Sequence, residues 1–207
     1  TRLPQSPVSD ALSGVGVAYQ IWRGLREVTR RFGATELAAG GTYLDLVAVG
    51  TVADVSPLVG ENRRLVRAGL QQLREDARPG LAALSLAAGT ALKDVRASSI
   101  SFALAPRINA AGRLGSAEPA LELLMTSDQR RATELARQLD RANRTRQGEV
   151  RRCLEAVRTA GIEDDLERSP LLFTMSDDYP QGIVGLVAGR LVDSYRVPVV
   201  AVTLEDG

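Results

Sequence analysis

The longest helical pattern in the chain, at residues 128–160, is the feature that most constrains the fold. Apolar residues recur at helical spacing near both of its ends, at Ala132, Leu135, Ala136 and Leu139 and again at Val150, Cys153, Leu154 and Val157. Between them, residues 140–149 are polar on every face except at Ala142. A helix that is buried at both ends and solvated in the middle is typical of a bridge between two packed bodies. We therefore predict two folded parts joined by this helix, with a single bundle helix that has a polar gap as the alternative.

After the long helix, the pattern changes to strand, helix and strand. Residues 171–173 form a short apolar run, residues 183–194 have helical spacing, and residues 199–204 are rich in β-branched side chains. This order is typical of a parallel sheet, and because only one such unit is present, we predict an incomplete sheet. Gly182 and Gly185, at the start of the predicted helix, would either admit a ligand or allow tight packing of helix on sheet.

Further helices are predicted before the long one, at residues 11–32, 42–56, 61–75 and 79–88. The second of these begins with Thr42 and Asp45 at the spacing of a capping box, and its apolar residues cover nearly its whole surface, which predicts burial on all sides. Residues 105–115 contain a proline, glycines and arginines, and we predict an irregular loop there. Ser116 then caps a short helix, and Thr126 with Gln129 forms a second capping-box pattern before the long helix. The predicted fold class is therefore α/β and predominantly helical.

Composition excludes several kinds of catalytic site. The 207 residues are 44% hydrophobic and carry a formal net charge of +1, which is compatible with a packed core. There is no histidine, and Cys153 is the only cysteine, so Ser-His-Asp and Cys-His catalysis, zinc sites built from these residues and an intrachain disulfide are excluded. A bound metal would be held by carboxylates, which favours Mg²⁺ or Mn²⁺. No apolar run has the length of a membrane span, and we expect no membrane partner and a cytoplasmic location.

Asp54 is the first candidate for chemistry, because it lies on the predicted helix whose other surfaces are mostly apolar. A buried carboxylate is costly unless it is paired, so Asp54 would be expected to bind a cation, a hydrogen-bond donor or a metal. The alternative is an aspartate near a helix end that is solvated or caps a neighbour. Spacing by itself leaves both interpretations open.

The second candidate is the group formed by Arg107, Asn109 and Arg113 in the predicted loop. Arginine binds phosphate oxygens through two parallel N–H donors, and glycines allow backbone N–H groups to approach an anion closely. The helix predicted to start at Ser116 would add a positive dipole. The alternative is a surface loop with solvated arginines.

The third candidate is the basic content of the long helix. Arginines on a solvated helix usually pair with acidic residues one turn away, whereas a groove face for a nucleic-acid backbone is the alternative. The residues concerned are Arg130, Arg131, Arg137, Arg141, Arg144, Arg146, Arg151, Arg152 and Arg158.

Four segments together resemble the RecJ-type single-strand-specific DNA exonucleases of the DHH phosphoesterase superfamily. They are residues 12–19 (LSGVGVAY), residues 43–58 (YLDLVAVGTVADVSPL) with 60–63 (GENR), residues 105–115 (APRINAAGRLG) and residues 182–191 (GIVGLVAGRL). They occur in the order of that family and at similar spacing, and they cover nearly the whole chain. The second and third segments are long and specific.

The resemblance implies an N-terminal domain that holds two Mn²⁺ or Mg²⁺ ions, a long connecting helix and a smaller DHH-associated domain, with a nucleic-acid strand between the domains. It implies metal-activated attack of water on the phosphodiester at the 5′ end of single-stranded DNA. Asp54 matches the metal-binding aspartate of the fourth motif. Arg107, Asn109 and Arg113 match a motif close to the active cleft, with phosphate or DNA contact as the implied role. The helix after Arg130 matches the connector.

The chain also departs from the family. The first three metal motifs, including an Asp-His-His triplet, would lie upstream of Thr1, and a glycine-rich motif would follow Gly207, so we expect a piece of a longer protein. Tyr179, Pro180 and Gln181 occur where the family has an aromatic residue, a histidine and a proline. This puts any role of that histidine in substrate handling in question.

From the resemblance we expect residues 1–127 to be the C-terminal part of a partial DHH domain, residues 128–161 the connector helix, and residues 162–207 the start of the DHH-associated domain. The expected parent is a metal-dependent 5′ to 3′ exonuclease of DNA repair or recombination, and the 207-residue piece by itself is expected to be inactive. Single-stranded DNA is the expected partner, with a helicase or a single-strand-binding protein as further candidates. The alternatives are a DHH phosphoesterase that acts on short oligonucleotides or cyclic dinucleotides, and a non-catalytic DNA-binding or scaffold relative.

Overall fold

The computed structural model describes residues 12–32, 42–161 and 170–204. The α-helices in these ranges are α1 (Gly14–Arg31), α2 (Leu44–Ala53), α3 (Gly60–Glu75), α4 (Pro79–Ala87), α5 (Ala97–Ser99), α6 (Ala105–Leu114), α7 (Glu118–Met125), α8 (Gln129–Thr159) and α9 (Val184–Tyr195). The strands are β1 (Leu172–Ser176) and β2 (Val199–Thr203), with short 3₁₀ helices at Leu92–Asp94 and Gln181–Ile183 and a π-helical segment at Ile100–Leu104. The predicted class, α/β and predominantly helical, is confirmed.

The chain forms two compact units that do not follow the simple order of the sequence. Unit 1 consists of Thr1–Pro106 and Leu121–Arg137, and unit 2 consists of Arg107–Ala120 and Gln138–Gly207. The division therefore falls within α6, α7 and α8. No helix formed by the described residues is long and apolar enough to cross a lipid bilayer.

Helix α2 lies at the centre of unit 1, where it packs against α1, α3 and the π-helical segment. Val47, Ala48, Val49 and Val52 are buried, whereas the face formed by Leu46, Gly50 and Ala53 is only half-buried. The prediction of burial on all sides therefore holds for most of the helix but not for this face. The contact with α3 is closest at Gly69, where an added Cβ atom would lie 2.0 Å from the carbonyl oxygen of Leu44. Only glycine allows the two helix backbones to approach this closely.

The start of α2 differs from the prediction. The helix begins after Tyr43, whose φ of 52° is left-handed, and no side chain caps it. The Thr42 hydroxyl instead donates to Oε1 of Gln72 at 2.6 Å, and the carboxylate of Asp45 binds the guanidinium of Arg78. The predicted capping box is therefore wrong, because partners from elsewhere in unit 1 bind both of its side chains.

Residues 105–115 were predicted to be an irregular loop, and this prediction is wrong for nearly all of them, because they form α6. The π-helical segment leads directly into α6, so Pro106 lies where the hydrogen-bonding pattern of the helix already changes. A proline, which has no backbone N–H, is tolerated at such a junction more readily than inside a regular helix. Ala110 and Ala111 are buried on this helix.

The predicted long helix is confirmed as α8, and Ser116 caps α7 by accepting a hydrogen bond from the N–H of Glu118 at 3.1 Å. The cap of α8 differs from the predicted box at Thr126. Oδ1 of Asp128 accepts hydrogen bonds from the N–H groups of Arg130 and Arg131, at 2.7 and 3.1 Å. An aspartate at this position satisfies two N–H groups that have no partner inside the helix.

The middle of α8 was predicted to be solvated, which is wrong at Asp140 and Asn143, because both are buried. Asp140 is held by Arg107 of α6 and by Arg144 of α8 itself. Asp140 therefore forms an ionic cluster in unit 2 with Arg107 and Arg144, and the carboxylate at its centre is buried. That α8 connects two domains remains a prediction.

In unit 2, strands β1 and β2 pair in parallel, in register from Leu172 opposite Val199 to Ser176 opposite Thr203. Helix α9 connects them, so the predicted strand–helix–strand unit is confirmed. Within the described residues the sheet contains these two strands. The sheet packs with α8 and α9 around a hydrophobic core in unit 2. The buried residues of this core are Cys153, Val157, Leu172, Tyr179, Ile183, Val187 and Leu191.

Candidate functional site

Asp54 lies at the C-terminal end of α2, and its side chain is exposed. Its Oδ2 atom accepts a hydrogen bond of 2.9 Å from the hydroxyl group of Ser56. The expectation that Asp54 is buried and must therefore bind a partner is wrong. The helix ends at Ala53, and Asp54 lies just beyond it, exposed to solvent. The carboxylate remains accessible to a ligand that approaches unit 1 from solvent.

The residue after Asp54 has an unusual backbone conformation. Val55 has a φ of 56° and is 87% exposed. Its N–H donates to the carbonyl of Val52 at 3.1 Å, and the N–H of Ser56 donates to the carbonyl of Thr51 at 3.3 Å, which together form a Schellman motif. A β-branched residue in this left-handed conformation costs about 1–2 kcal/mol. Strain of this kind occurs often at functional sites. Here the strained residue belongs to the turn that carries Asp54, and the two hydrogen bonds hold that turn.

The described residues do not form a metal site by themselves. They contain no group of three His, Cys, Asp or Glu side chains that could share an ion. Asp45, the other acidic residue near this helix, has its carboxylate bound by Arg78. Asp54 therefore fits the role of one oxygen ligand for Mn²⁺ or Mg²⁺, but the remaining ligands would have to come from outside the described ranges.

Arg107 is held by a carboxylate in unit 2. Its Nε and Nη2 atoms lie 3.0 and 2.9 Å from Oδ1 of Asp140, and both side chains are largely buried. Nη2 of Arg144 lies 2.8 Å from Oδ2 of the same carboxylate. Because two guanidinium groups share one carboxylate, a positive charge remains on the cluster. Arg107 can thus favour a nearby phosphate electrostatically without leaving Asp140.

Asn109 and Arg113 are exposed on α6, one helical turn apart, and so lie on the same face of the helix. Nη1 of Arg113 donates to the carbonyl of Gly182 at 3.1 Å. An added Cβ atom at Gly182 would lie 1.9 Å from the carbonyl oxygen of Arg113, whereas one at Gly185 would have no atom within 4 Å. Gly182 therefore serves the close packing of two backbones within unit 2.

Several arginines of α8 form the ordinary surface pairs that sequence spacing suggested. Arg131 pairs with Glu134 and Arg152 pairs with Glu149, each three residues away on the helix. Arg131 also pairs with Glu122 of α7, which helical spacing does not predict. Arg146 differs from these, because it is partly buried and its Nε atom has no hydrogen-bond partner among the described residues. Helical spacing does not single it out from the other arginines.

The structure thus assigns the predicted site residues to different units. Asp54 belongs to unit 1, whereas Arg107, Asn109 and Arg113 belong to unit 2. Within unit 2, Asn109 and Arg113 share an exposed face, and Arg107 is directed to Asp140. Their roles in binding metal or phosphate remain predictions.

Curated proteins similar to this chain are single-stranded-DNA-specific exonucleases named RecJ. The chain is 38% identical over 195 residues to RecJ of Thermus thermophilus and 36% identical over 204 residues to RecJ of Escherichia coli, which covers 94% and 93% of this chain. RecJ of Bacillus subtilis is 34% identical over 195 residues. The chain spans 23% of the Bacillus subtilis protein and 35% of the Escherichia coli protein. No protein-family model matches it.

Solved structures of RecJ are similar in fold. The crystal structure of Thermus thermophilus RecJ in complex with Mn²⁺ matches with a TM-score of 0.79 and 34% identity, over 95% of this chain and 28% of that one. The same protein in complex with Mg²⁺ gives a TM-score of 0.78. These findings confirm the resemblance that the four sequence segments indicated.

Proposed function

We propose that this chain, which is RecJ-type in sequence and in fold, is part of a metal-dependent exonuclease. That enzyme would degrade single-stranded DNA from its 5′ end. The observation that carries the proposal is the similarity to RecJ exonucleases over 93–94% of the chain. The similarity of fold to RecJ structures that contain Mn²⁺ or Mg²⁺ supports a divalent metal as the cofactor.

Within this function, each candidate residue has a role that agrees with its surroundings. Asp54 would supply one carboxylate oxygen to the metal, since it is exposed at the end of α2. Asn109 and Arg113 would contact phosphate or DNA directly from their exposed face of α6. Arg107 would act mainly through its charge, because Asp140 binds its Nε and Nη2 donors.

The proposal also assigns regions and partners. Residues 1–127 would belong to the metal-binding DHH domain, residues 128–161 to the connector helix and residues 162–207 to the DHH-associated domain. The longer protein would act in DNA repair or recombination, together with a helicase or a single-strand-binding protein. Because its substrate would be chromosomal DNA, we place it in the cytoplasm.

The gene upstream of Thr1 offers a direct test of this function. Paired aspartates and an Asp-His-His triplet should be encoded there, because the described residues supply too few metal ligands. The longer protein should then degrade a long single strand from its 5′ end in Mn²⁺, and degrade a dinucleotide far more slowly. Preference for the dinucleotide would favour a phosphoesterase of short substrates, and absence of the triplet would favour a scaffold relative.

The role of Asp54 has its own test in that longer protein. Asp54→Ala should lower nuclease activity by about a hundredfold or more, since even residues that only support a metal ligand contribute about 10–100-fold. Asp76→Ala, which changes another exposed aspartate of unit 1, should leave activity unchanged. Equal activity of the two variants would make Asp54 a structural residue. The purified 207-residue chain should show no nuclease activity, and robust hydrolysis by it would contradict the proposal.

A further inference from the structure

Asp140 lies in the middle of α8, and its carboxylate is shared by two arginines of unit 2. Oδ1 lies 3.0 Å from Nε and 2.9 Å from Nη2 of Arg107, and Oδ2 lies 2.8 Å from Nη2 of Arg144. The side chains of Asp140 and Arg107 are 11% and 16% exposed, whereas that of Arg144 is 74% exposed. The buried part of the cluster is therefore the pair of Asp140 with Arg107.

This pair fixes the orientation of the Arg107 guanidinium. Nε and Nη2 lie on one edge of the planar group, and both donate to the same oxygen atom of Asp140. An arginine side chain that is free to rotate loses conformational entropy when it contacts a ligand. Because Arg107 is ordered before any ligand arrives, less entropy is lost when an anion binds beside it.

Stability by itself does not account for the pair. Burial of two charges costs solvation free energy, and an apolar pair of similar volume is often at least as stable. Helix α6 also has a second contact within unit 2, since Arg113 donates to the carbonyl of Gly182 and the two backbones pack closely there. The pair is therefore better explained by its effect on the Arg107 guanidinium than by the attachment of α6.

We propose that Asp140 is a positioning residue, which holds the Arg107 guanidinium where its charge attracts a phosphate group of single-stranded DNA. Arg107 acts while it stays bound to Asp140. The inference rests on the proposed function, which assigns Arg107 its role towards phosphate, and it adds a residue on α8 that acts through Arg107.

The loss of the Asp140 charge has opposite consequences under the two roles that this carboxylate could have. If Asp140 only lowered the net charge of the cluster, its neutralisation would leave the cluster more positive, and phosphate would bind more tightly. If Asp140 positions Arg107, the same change weakens binding, because a neutral partner holds the guanidinium less firmly than a carboxylate does. The sign of the effect therefore separates a positioning role from a purely electrostatic one.

Asp140→Asn in the purified 207-residue chain tests this sign, since asparagine keeps the shape and the Oδ1 acceptor but not the charge. Fluorescence anisotropy with a 5′-phosphorylated oligothymidylate should show binding that is weaker by about threefold to tenfold, because a hydrogen bond to a charged group is about twice as strong as a neutral one. Tighter or unchanged binding would overturn the proposal. Asp193→Asn, which removes the same charge from an exposed position of α9, is the control and should change binding by less than about twofold.

A double-variant cycle tests whether Asp140 acts through Arg107. In a chain that already carries Arg107→Gln, the further change Asp140→Asn should alter binding by less than about twofold, because no guanidinium is left to position. A general structural role would weaken binding in both backgrounds, and equal losses in the two would overturn the proposal. Asp140→Glu is the second variant, for use if Asp140→Asn does not fold. It keeps the charge but moves the carboxylate by one methylene group, so it should also weaken binding, and unchanged binding would again overturn the proposal.

Steady-state kinetics of the longer protein separate this inference from the proposed function. Asp140→Asn should raise KM for the single strand and leave kcat within about twofold, because the contact of Arg107 with phosphate is present before and during hydrolysis. If the longer protein has no nuclease activity, the proposed function fails, and the differences in binding between variants of the 207-residue chain still test the positioning role. If the unchanged chain does not bind the oligonucleotide, Arg107 attracts no phosphate there, and the inference is overturned whatever the nuclease activity of the longer protein.

Discussion

Asp45 and Arg78 form a bidentate ion pair inside unit 1. Nε of Arg78 lies 2.6 Å from Oδ2 of Asp45, and Nη2 lies 2.8 Å from Oδ1, with the Asp45 carboxylate completely buried. Arg78 also donates to the carbonyl of Leu124 at 3.0 Å, so the pair connects the start of α2 with the ends of other helices. Because Asp54 lies at the other end of α2, this pair helps to hold the helix that positions the candidate metal ligand.

Breaking this pair should destabilise unit 1 strongly. Asp45→Ala leaves the Arg78 guanidinium largely buried without its carboxylate, so we expect the free energy of unfolding to fall by about 3–5 kcal/mol. Urea unfolding followed by circular dichroism measures this loss. Glu27→Ala is the control, since Glu27 pairs with Arg30 and Arg31 at exposed positions. That variant should lose less than about 1 kcal/mol, and a similarly small loss for Asp45→Ala would contradict the structural role of the pair.

The two glycines near the start of α9 should respond in opposite ways to alanine. At Gly182 the new Cβ would clash with the carbonyl oxygen of Arg113, so α6 or the 3₁₀ turn must move and unit 2 should melt at a lower temperature. Gly185 lies inside α9 with open space around it, so Gly185→Ala should stabilise by about 0.5–1 kcal/mol. Thermal unfolding of the two variants in parallel checks this, and equal melting temperatures would show that the close contact is absent.

The strained turn after Asp54 should be relieved by a residue that accepts a positive φ. Val55→Asn should raise the free energy of unfolding by about 1 kcal/mol, because asparagine adopts the left-handed conformation readily and the exposed valine buries little surface. Val55→Thr is the control, since threonine is also polar but keeps the β-branched side chain that is strained at this positive φ. Urea unfolding of both variants measures the difference, and an unchanged or lower stability for Val55→Asn would show that the turn is not strained.

Cys153 should react slowly with thiol reagents in the folded protein. Its side chain is buried in the core of unit 2, and burial raises the pKa of the Cys153 thiol. The neutral thiol is therefore favoured in the folded state, and iodoacetamide, which requires the thiolate, should label Cys153 much faster in urea than in buffer. The folded state also binds this proton more tightly than the unfolded state. The resulting contribution to stability is present below the unfolded thiol pKa of about 8.5 and is lost as the pH rises through the folded value. Rapid labelling of the native protein near neutral pH would contradict this placement.

Helical and strand periodicity predicted most of the secondary structure correctly. The long helix and the strand–helix–strand unit were predictable because side-chain burial repeats with the period of each element, and this repeat is present in the sequence itself. The resemblance to RecJ came from specific local motifs such as residues 105–115, which are read without knowledge of the fold. The same motif was nevertheless predicted to be a loop, because its proline and glycines are local signals that the helical context of α6 overrides.

Other features depended on residues that are distant in the chain. Asp45 binds Arg78 rather than capping α2, Asp140 is buried because Arg107 reaches it from α6, and Arg113, Arg146 and Arg190 converge from three helices. Spacing cannot predict such pairs, since their energies depend on distance and burial in the folded chain. Periodic burial and short motifs are local properties that the order of the amino acids determines directly. The partner of a charged side chain, and the exposure of Asp54 at a helix end, were decided only when the helices packed.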